Sequence, residues 1–367
     1  MADTLQHRAA VRFAAVTFLA FLFVNAAFAQ HYTRTDLTTD SSSVTSAPNV
    51  DPDLVNAWGL SRATGSPWWI SDNGTGLTTL YDGTGAKAPL VVTIPLPGSQ
   101  KGNSAPTGTA FNYTTKFQVA PGAPSVFLFV TEDGTIAGWN PTVNLNSAIL
   151  MVNHGKVAIY KGCTLATTAR GPRLYVTNFK NESIKVYDGQ FNRKFAEERF
   201  QDAELPAHYA PFGIQNVGGN IVVTFAQRDP GSTDENHGPG LGFVRIFDTN
   251  GNILVRVQHT MALNAPWGIA MAPGDFGTFS HRLLIGNFGD GTIHAINAIS
   301  GKLEGTLLDS TGANLWIDGL WGLSFGGDNA KNGLATELYF TAGPNDEGDG
   351  IYGKIAATAG EDRGNSE

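Results

Sequence analysis

A single cysteine, Cys163, stands in 367 residues. One thiol cannot form an internal disulfide, so packing alone must hold this fold. The neighbours Thr164, Leu165 and Ala166 give Cys163 an apolar setting, which favours a buried, inert thiol over a nucleophile. Charge is also scarce, at 15% of residues, with a formal net value of −8 and no basic cluster. Phosphate binding needs concentrated Lys and Arg, so nucleic acid is excluded as a partner class. Long apolar runs are missing beyond the N-terminus, so nothing there is expected to span a membrane. Gly-x-Ser-x-Gly, His-Glu-x-x-His and Gly-rich phosphate loops are absent too, which removes the usual hydrolase, zinc-protease and nucleotide-binding motifs.

The N-terminus is the exception. Arg8 and Arg12 precede an apolar run over 13–24, followed by the small-x-small sequence Ala27-Phe28-Ala29. That order predicts a signal peptide over 1–29, with an apolar run too short to span a bilayer, and a mature chain from Gln30. Its removal takes the formal charge from −8 to −9, because Arg8, Arg12 and Asp3 leave with it. The expected location is secreted or periplasmic, and the expected state a monomer.

Glycine, by contrast, is abundant and periodic. A Gly-centred motif occurs six times, as Ala57-Trp58-Gly59-Leu60, Pro106-Thr107-Gly108-Thr109, Tyr160-Lys161-Gly162-Cys163, Pro211-Phe212-Gly213-Ile214, Pro266-Trp267-Gly268-Ile269 and Leu320-Trp321-Gly322-Leu323. The glycines are 49, 54, 51, 55 and 54 residues apart. A period near fifty with strand-like filling predicts an all-β fold, a six-bladed β-propeller over 30–355.

Within each period the runs are four to six residues long and rich in Val, Ile, Thr and aromatics, a strand signal rather than a helical one. Asp82-Gly83, Thr249-Asn250-Gly251 and Ser300-Gly301 predict turns into a fourth, outer strand. After Gly322 the sequence has room for only three strands. The strand-like stretch 31–41 is therefore predicted to close the last blade as its outer strand, which removes two exposed edges. The small, polar residues 356–367 predict a disordered tail. Trp58, Trp267 and Trp321 share one repeat position and predict packing between blades, with an aromatic sugar platform as the sharper alternative.

Two stretches carry a resemblance. Pro266-Trp267-Gly268-Ile269, followed by Leu284-Ile285-Gly286-Asn287 and Thr292-Ile293-His294-Ala295-Ile296, resembles the NHL repeat. Asn287-Phe288-Gly289-Asp290-Gly291-Thr292-Ile293 together with Asp318-Gly319-Leu320-Trp321-Gly322-Leu323 resembles an uncharacterised family of bacterial secreted six-bladed propellers, some with PEP-CTERM tails. The resemblance covers most of 51–355 and implies the fold. The chain has no Pro-Glu-Pro tail, so surface sorting does not follow, and the family supplies no function. Six-bladed lactonases hold a divalent metal at the channel mouth, and related lyases use a His-ligated metal. Asn56-Ala57-Trp58-Gly59 stands where the lactonase motif would be.

In such blades the start of strand one and the end of strand two share a face, so two rows of side chains ring one mouth of the channel. The first row offers Asn56, His208, Tyr209, Asn264 and Asp318, and the second Asp72, Asn73, Glu132, Asp133, Asn178, Arg228, Asp229, Asn287 and Asp290. Asn56, Asn73, Asn178, Tyr209, Arg228 and Asn287 are the expected ligand-binding residues. Asp318 and Asn264 are the expected metal ligands, in an oxygen-rich set suited to Ca²⁺. Asn and Asp at strand ends also cap turns, which is the structural alternative for each.

Blade four carries an insertion between Ala226 and Val244, expected over the same mouth. Its Asp234, Glu235 and His237 are expected to reach towards His208, and two histidines with a carboxylate suit Zn²⁺. The acidic loop 344–350 lacks EF-hand spacing and reads as a solvated turn. Two functions of different class follow. One is a non-catalytic module that binds a small molecule, or an extracellular protein or polymer, at the loop-rich mouth. The other is a metal-assisted hydrolase, lactonase or lyase, with His208 or His237 as base.

Overall fold

The six motif glycines lie where each blade meets the next. A Cβ on Gly59 would overlap the Thr107 carbonyl oxygen of blade two, and one on Gly322 would lie 2.9 Å from the Trp58 carbonyl oxygen of blade one. Only glycine permits that approach, so the periodic motif is the footprint of a closed inner ring. A computed structural model gives the architecture, describing residues 30–98 and 101–361. The expected signal peptide (1–29) and the end of the expected tail lie outside the described residues.

The inner strands are Ala57–Ser61, Pro106–Phe111, Tyr160–Thr168, Tyr209–Val217, Pro266–Met271 and Leu320–Phe325. Each packs beside the next, and the last packs beside the first. Middle strands such as Phe127–Thr131 and Leu338–Ala342 are buried at every residue. Each sheet face is covered by a neighbouring blade, which is why these strands read as continuous apolar runs. Outer strands such as Ile253–Arg256 alternate half-buried and exposed residues, because one side meets solvent. The strand-three aspartates make the outer turns. Asp82, Asp188 and Asp248 each accept two backbone N–H bonds from residues two and four positions on.

Closure follows the expected route. Tyr32–Thr39 pairs antiparallel with Ile351–Ala357, the third strand of blade six. That last strand includes Ala356 and Ala357, paired with Thr33 and Tyr32, so the sheet runs two residues past the expected boundary. Blade three departs from the four-strand plan. Its sheet has three strands, and a 3-10 turn, Phe195–Glu197, follows the Asp188 turn. Cys163 is buried, and burial pushes its thiol up, as expected of an inert cysteine.

Candidate functional site

The loop-bearing mouth is floored by aromatic rings. Trp58 and Trp321 stack with centroids 3.7 Å apart, Phe288 stacks on Trp321 at 3.8 Å, and Trp267 meets Trp321 edge-on at 6.0 Å. This is the expected inter-blade packing, and it plugs the channel. Phe179 and Phe212 complete the apolar cluster.

A charge sits on that floor. Lys161, the second residue of the blade-three inner strand, is 2% exposed, with its Nζ 5.0 Å from the Trp58 ring centre and 5.5 Å from that of Phe179. Its ammonium lies 2.7 Å from Glu132 Oε1, 3.7 Å from Asp234 and 3.8 Å from Glu235. Burial works against the charge, but Glu132 and Glu235 outweigh it and hold the lysine above its ordinary value. Blades two and four thus meet over a residue of blade three.

Blades one and six complete the cluster. Asn56 Nδ2 donates to Glu347 Oε2 at 2.5 Å and to Asn73 Oδ1 at 3.3 Å. Its Oδ1 accepts the Trp321 indole N–H at 2.9 Å, and Asn73 donates onward to Glu132 at 3.1 Å. Burial pushes the Glu347 carboxyl up to about 7, with Glu235 and Glu132 adding to the rise and Lys161 opposing it. Asn345, Asp346 and Glu347 all have φ between 55° and 63°, and Asn56 has φ 48°. Left-handed backbone at four non-glycine residues is costly and marks a tightly constrained site.

His237, from the blade-four insertion, lies 3.7 Å from Glu235 and edge-on to Phe288. Glu235 raises its pKa against partial burial, with Glu347 and Asp346 adding to the rise. The Glu235 side chain is 3% exposed, and its Oε2 accepts no hydrogen bond from the described residues.

The expected residues divide three ways. Asn56 and Asn73 join this cluster. Asn178, Asn264, Asn287 and Asp318 instead act as caps, the structural alternative. Asn178 accepts the Ile159 N–H, Asn264 the Gly238 N–H, Asn287 the Asn264 N–H, and Asp318 the Asn345 N–H. Asn264 and Asp318 therefore moor the two loops that build the mouth. No group of three or more His, Cys, Asp or Glu side chains among the described residues is placed to hold a metal ion. The centre of the carboxylates is taken by the Lys161 ammonium.

His208, Tyr209 and Arg228 form a separate patch. His208 and Arg228 each lie 3.8 Å from Glu182, Arg228 donates to the Phe179 carbonyl, and Tyr209 packs edge-on to Phe243. The insertion was expected to bring Asp234, Glu235 and His237 towards His208; these residues go to Lys161 and Phe288. Lys161 and Glu347 escaped the sequence reading. The lysine occupied an apolar repeat position, and the glutamate lay in a loop that reads as solvated.

No family model matches the chain. Relatives do match, and two of them are proteins of Acanthamoeba polyphaga mimivirus. "Uncharacterized protein R648" is 32% identical over 326 residues, 86% of this chain and 78% of the relative. "Uncharacterized protein L690" is 32% identical over 323 residues, 84% of this chain and 82% of the relative. Among solved structures, a streptogramin B lyase matches with a TM-score of 0.52 at 13% identity, covering 90% of this chain and 98% of the lyase. The aldose sugar dehydrogenase of Streptomyces coelicolor, in its PQQ-bound form, matches with 0.51 at 14%, covering 90% and 99%. These two likenesses show the fold alone. The identity to the viral proteins shows kinship: the chain belongs to their family, and its fold is a six-bladed β-propeller.

Proposed function

We propose that the protein binds a small ligand at the loop-bearing mouth, on the polar bowl formed by Glu132, Glu235, Glu347 and His237 above Lys161. One observation carries the reading. Five blades contribute to a cluster of polar and charged groups around the buried Lys161 on an apolar floor, where a structural core would place hydrophobic groups. Burying charges costs stability unless each is paired, and here carboxylates outnumber the ammonium. That imbalance favours a ligand carrying a cationic or hydrogen-bond-donating group. The test is a thermal-shift series with small organic amines on the wild type and on Glu347→Gln. Stabilisation of the wild type that is lost in the variant supports the reading; no shift with any amine counts against it.

A second reading, acid–base catalysis, is favoured by Glu347. A carboxyl poised near neutrality beside a second titratable group, His237, is suited to move a proton at a bound substrate. The metal-assisted version has less support, since Asp318 and Asn264 are occupied as caps. Export belongs to the same proposal, and so does kinship with bacterial secreted propellers. It rests on the charged-then-apolar order before Gln30. N-terminal sequencing of the protein from its native host tests it, with Gln30 as the expected first residue.

A further inference from the structure

The opposite mouth of the channel is open. A cavity of about 310 Å³ lies among the far ends of the inner strands, walled by Ser61, Thr109, Phe111, Tyr113, Gln215 and Ser324. A second, of about 490 Å³, shares Gln215 and Ser324 with it, so the two form one vestibule. A narrow extension of about 30 Å³ runs inward past Thr109 to Trp267, whose indole N–H donates to the Lys161 carbonyl. The tryptophan layer therefore separates this vestibule from the charged bowl.

We propose that the vestibule is a second ligand site, for an uncharged polyhydroxylated molecule of the size of a saccharide unit. Its volume falls in the range of small-molecule sites. The walls of the smaller chamber are mainly polar and those of the larger mainly apolar, and neither carries a carboxylate, lysine or histidine. The one charged side chain, Arg62, already donates to the Phe325 and Gly326 carbonyls. Polar groups are left over. The side chains of Gln215 and Ser324 make no hydrogen bond to other described residues. Ser61 Oγ accepts the Phe111 N–H at 3.0 Å, which leaves its own hydroxyl proton to donate. Gln215 is exposed and Ser324 half-buried, so their donors and acceptors are open to the vestibule and fit a ligand rich in hydroxyls. Phe111 and the half-exposed Tyr113 supply the apolar faces on which a sugar ring packs.

The test is saturation-transfer NMR with glucose, maltose and cellobiose at about 10 mM, a range suited to weak sites. The expected result is saturable binding of at least one sugar. Gln215→Leu and Ser324→Ala should each weaken it about three- to tenfold, as loss of one hydrogen bond implies. Neither side chain is buried, so both variants should keep the wild-type melting temperature, and lost binding in them cannot be attributed to misfolding. Glu347→Gln, at the other mouth, should leave sugar binding unchanged. Three outcomes overturn the proposal: no sugar binds, binding ignores both vestibule variants, or Glu347→Gln abolishes it. Because the amine series uses other probes and the other mouth, either site can fail without the other.

Discussion

Lys161 of blade three and Glu132 of blade two meet at 2.7 Å over the tryptophan layer of the channel. The lysine is nearly inaccessible, and two further carboxylates of blade four lie within 4 Å of its ammonium. A buried pair of this kind is costly to assemble and more costly to break.

Lys161→Met keeps most of the side-chain volume and removes the charge. Glu132 and Glu235 then face each other without a cation, and a loss of about 3–5 kcal/mol is expected. Chemical denaturation of the purified variant measures it. A loss no larger than that of a surface substitution would show that the pair does not anchor the mouth.

Glu347 gives stability a pH signature. Its folded value, about 7, lies above the ordinary 4.5, so the folded state holds the proton more tightly than the unfolded chain. The favourable contribution is complete below about pH 4.5 and is lost as pH rises through 7. Relative to Glu347→Gln, the wild type should lose up to about 3 kcal/mol between pH 5 and pH 8. Parallel unfolding curves at the two pH values check the sign; equal slopes in both proteins contradict it.

Trp321→Phe tests the link between the aromatic floor and the polar bowl. The ring survives, but Asn56 Oδ1 loses the indole N–H it accepts at 2.9 Å. A buried acceptor left without its donor costs about 1–3 kcal/mol. Calorimetric unfolding should show that loss, and amine binding should weaken with it.

Gly213→Ala probes the inner ring. The added Cβ would overlap the Trp267 carbonyl oxygen in the next blade. Overpacking against backbone costs about 1–3 kcal/mol, with little room for relief. An unchanged melting temperature would mean that adjacent blades can slide apart.

The fold was legible because it is periodic. Each Gly59-type position repeats one steric demand, and six repetitions leave little ambiguity about blade number. The closing strand, Tyr32–Thr39, was legible by counting, since blade six lacked its outer strand. The site was only half legible. Asn56 and Asn73 were found because their place in the blade set them on the mouth. Lys161 was hidden because a strand pattern cannot distinguish an apolar core position from one whose long stem is buried and whose ammonium is paired. Glu347 was hidden because its burial comes from Asn56 and the blade-four insertion, nearly 300 and about 100 residues away in sequence. Asn264 and Asp318 carried the right chemistry for a cation, but each instead accepts a backbone N–H from a mouth loop distant in sequence.

The most direct measurement is a carbon-detected NMR titration of glutamate side chains in the wild type, Glu347→Gln and Lys161→Met. One carboxyl should titrate near pH 7 in the wild type, vanish in Glu347→Gln, and shift higher in Lys161→Met, where the opposing positive charge is gone. If every glutamate of the wild type titrates below about pH 5, within the ordinary range, the mouth is not a proton-active site.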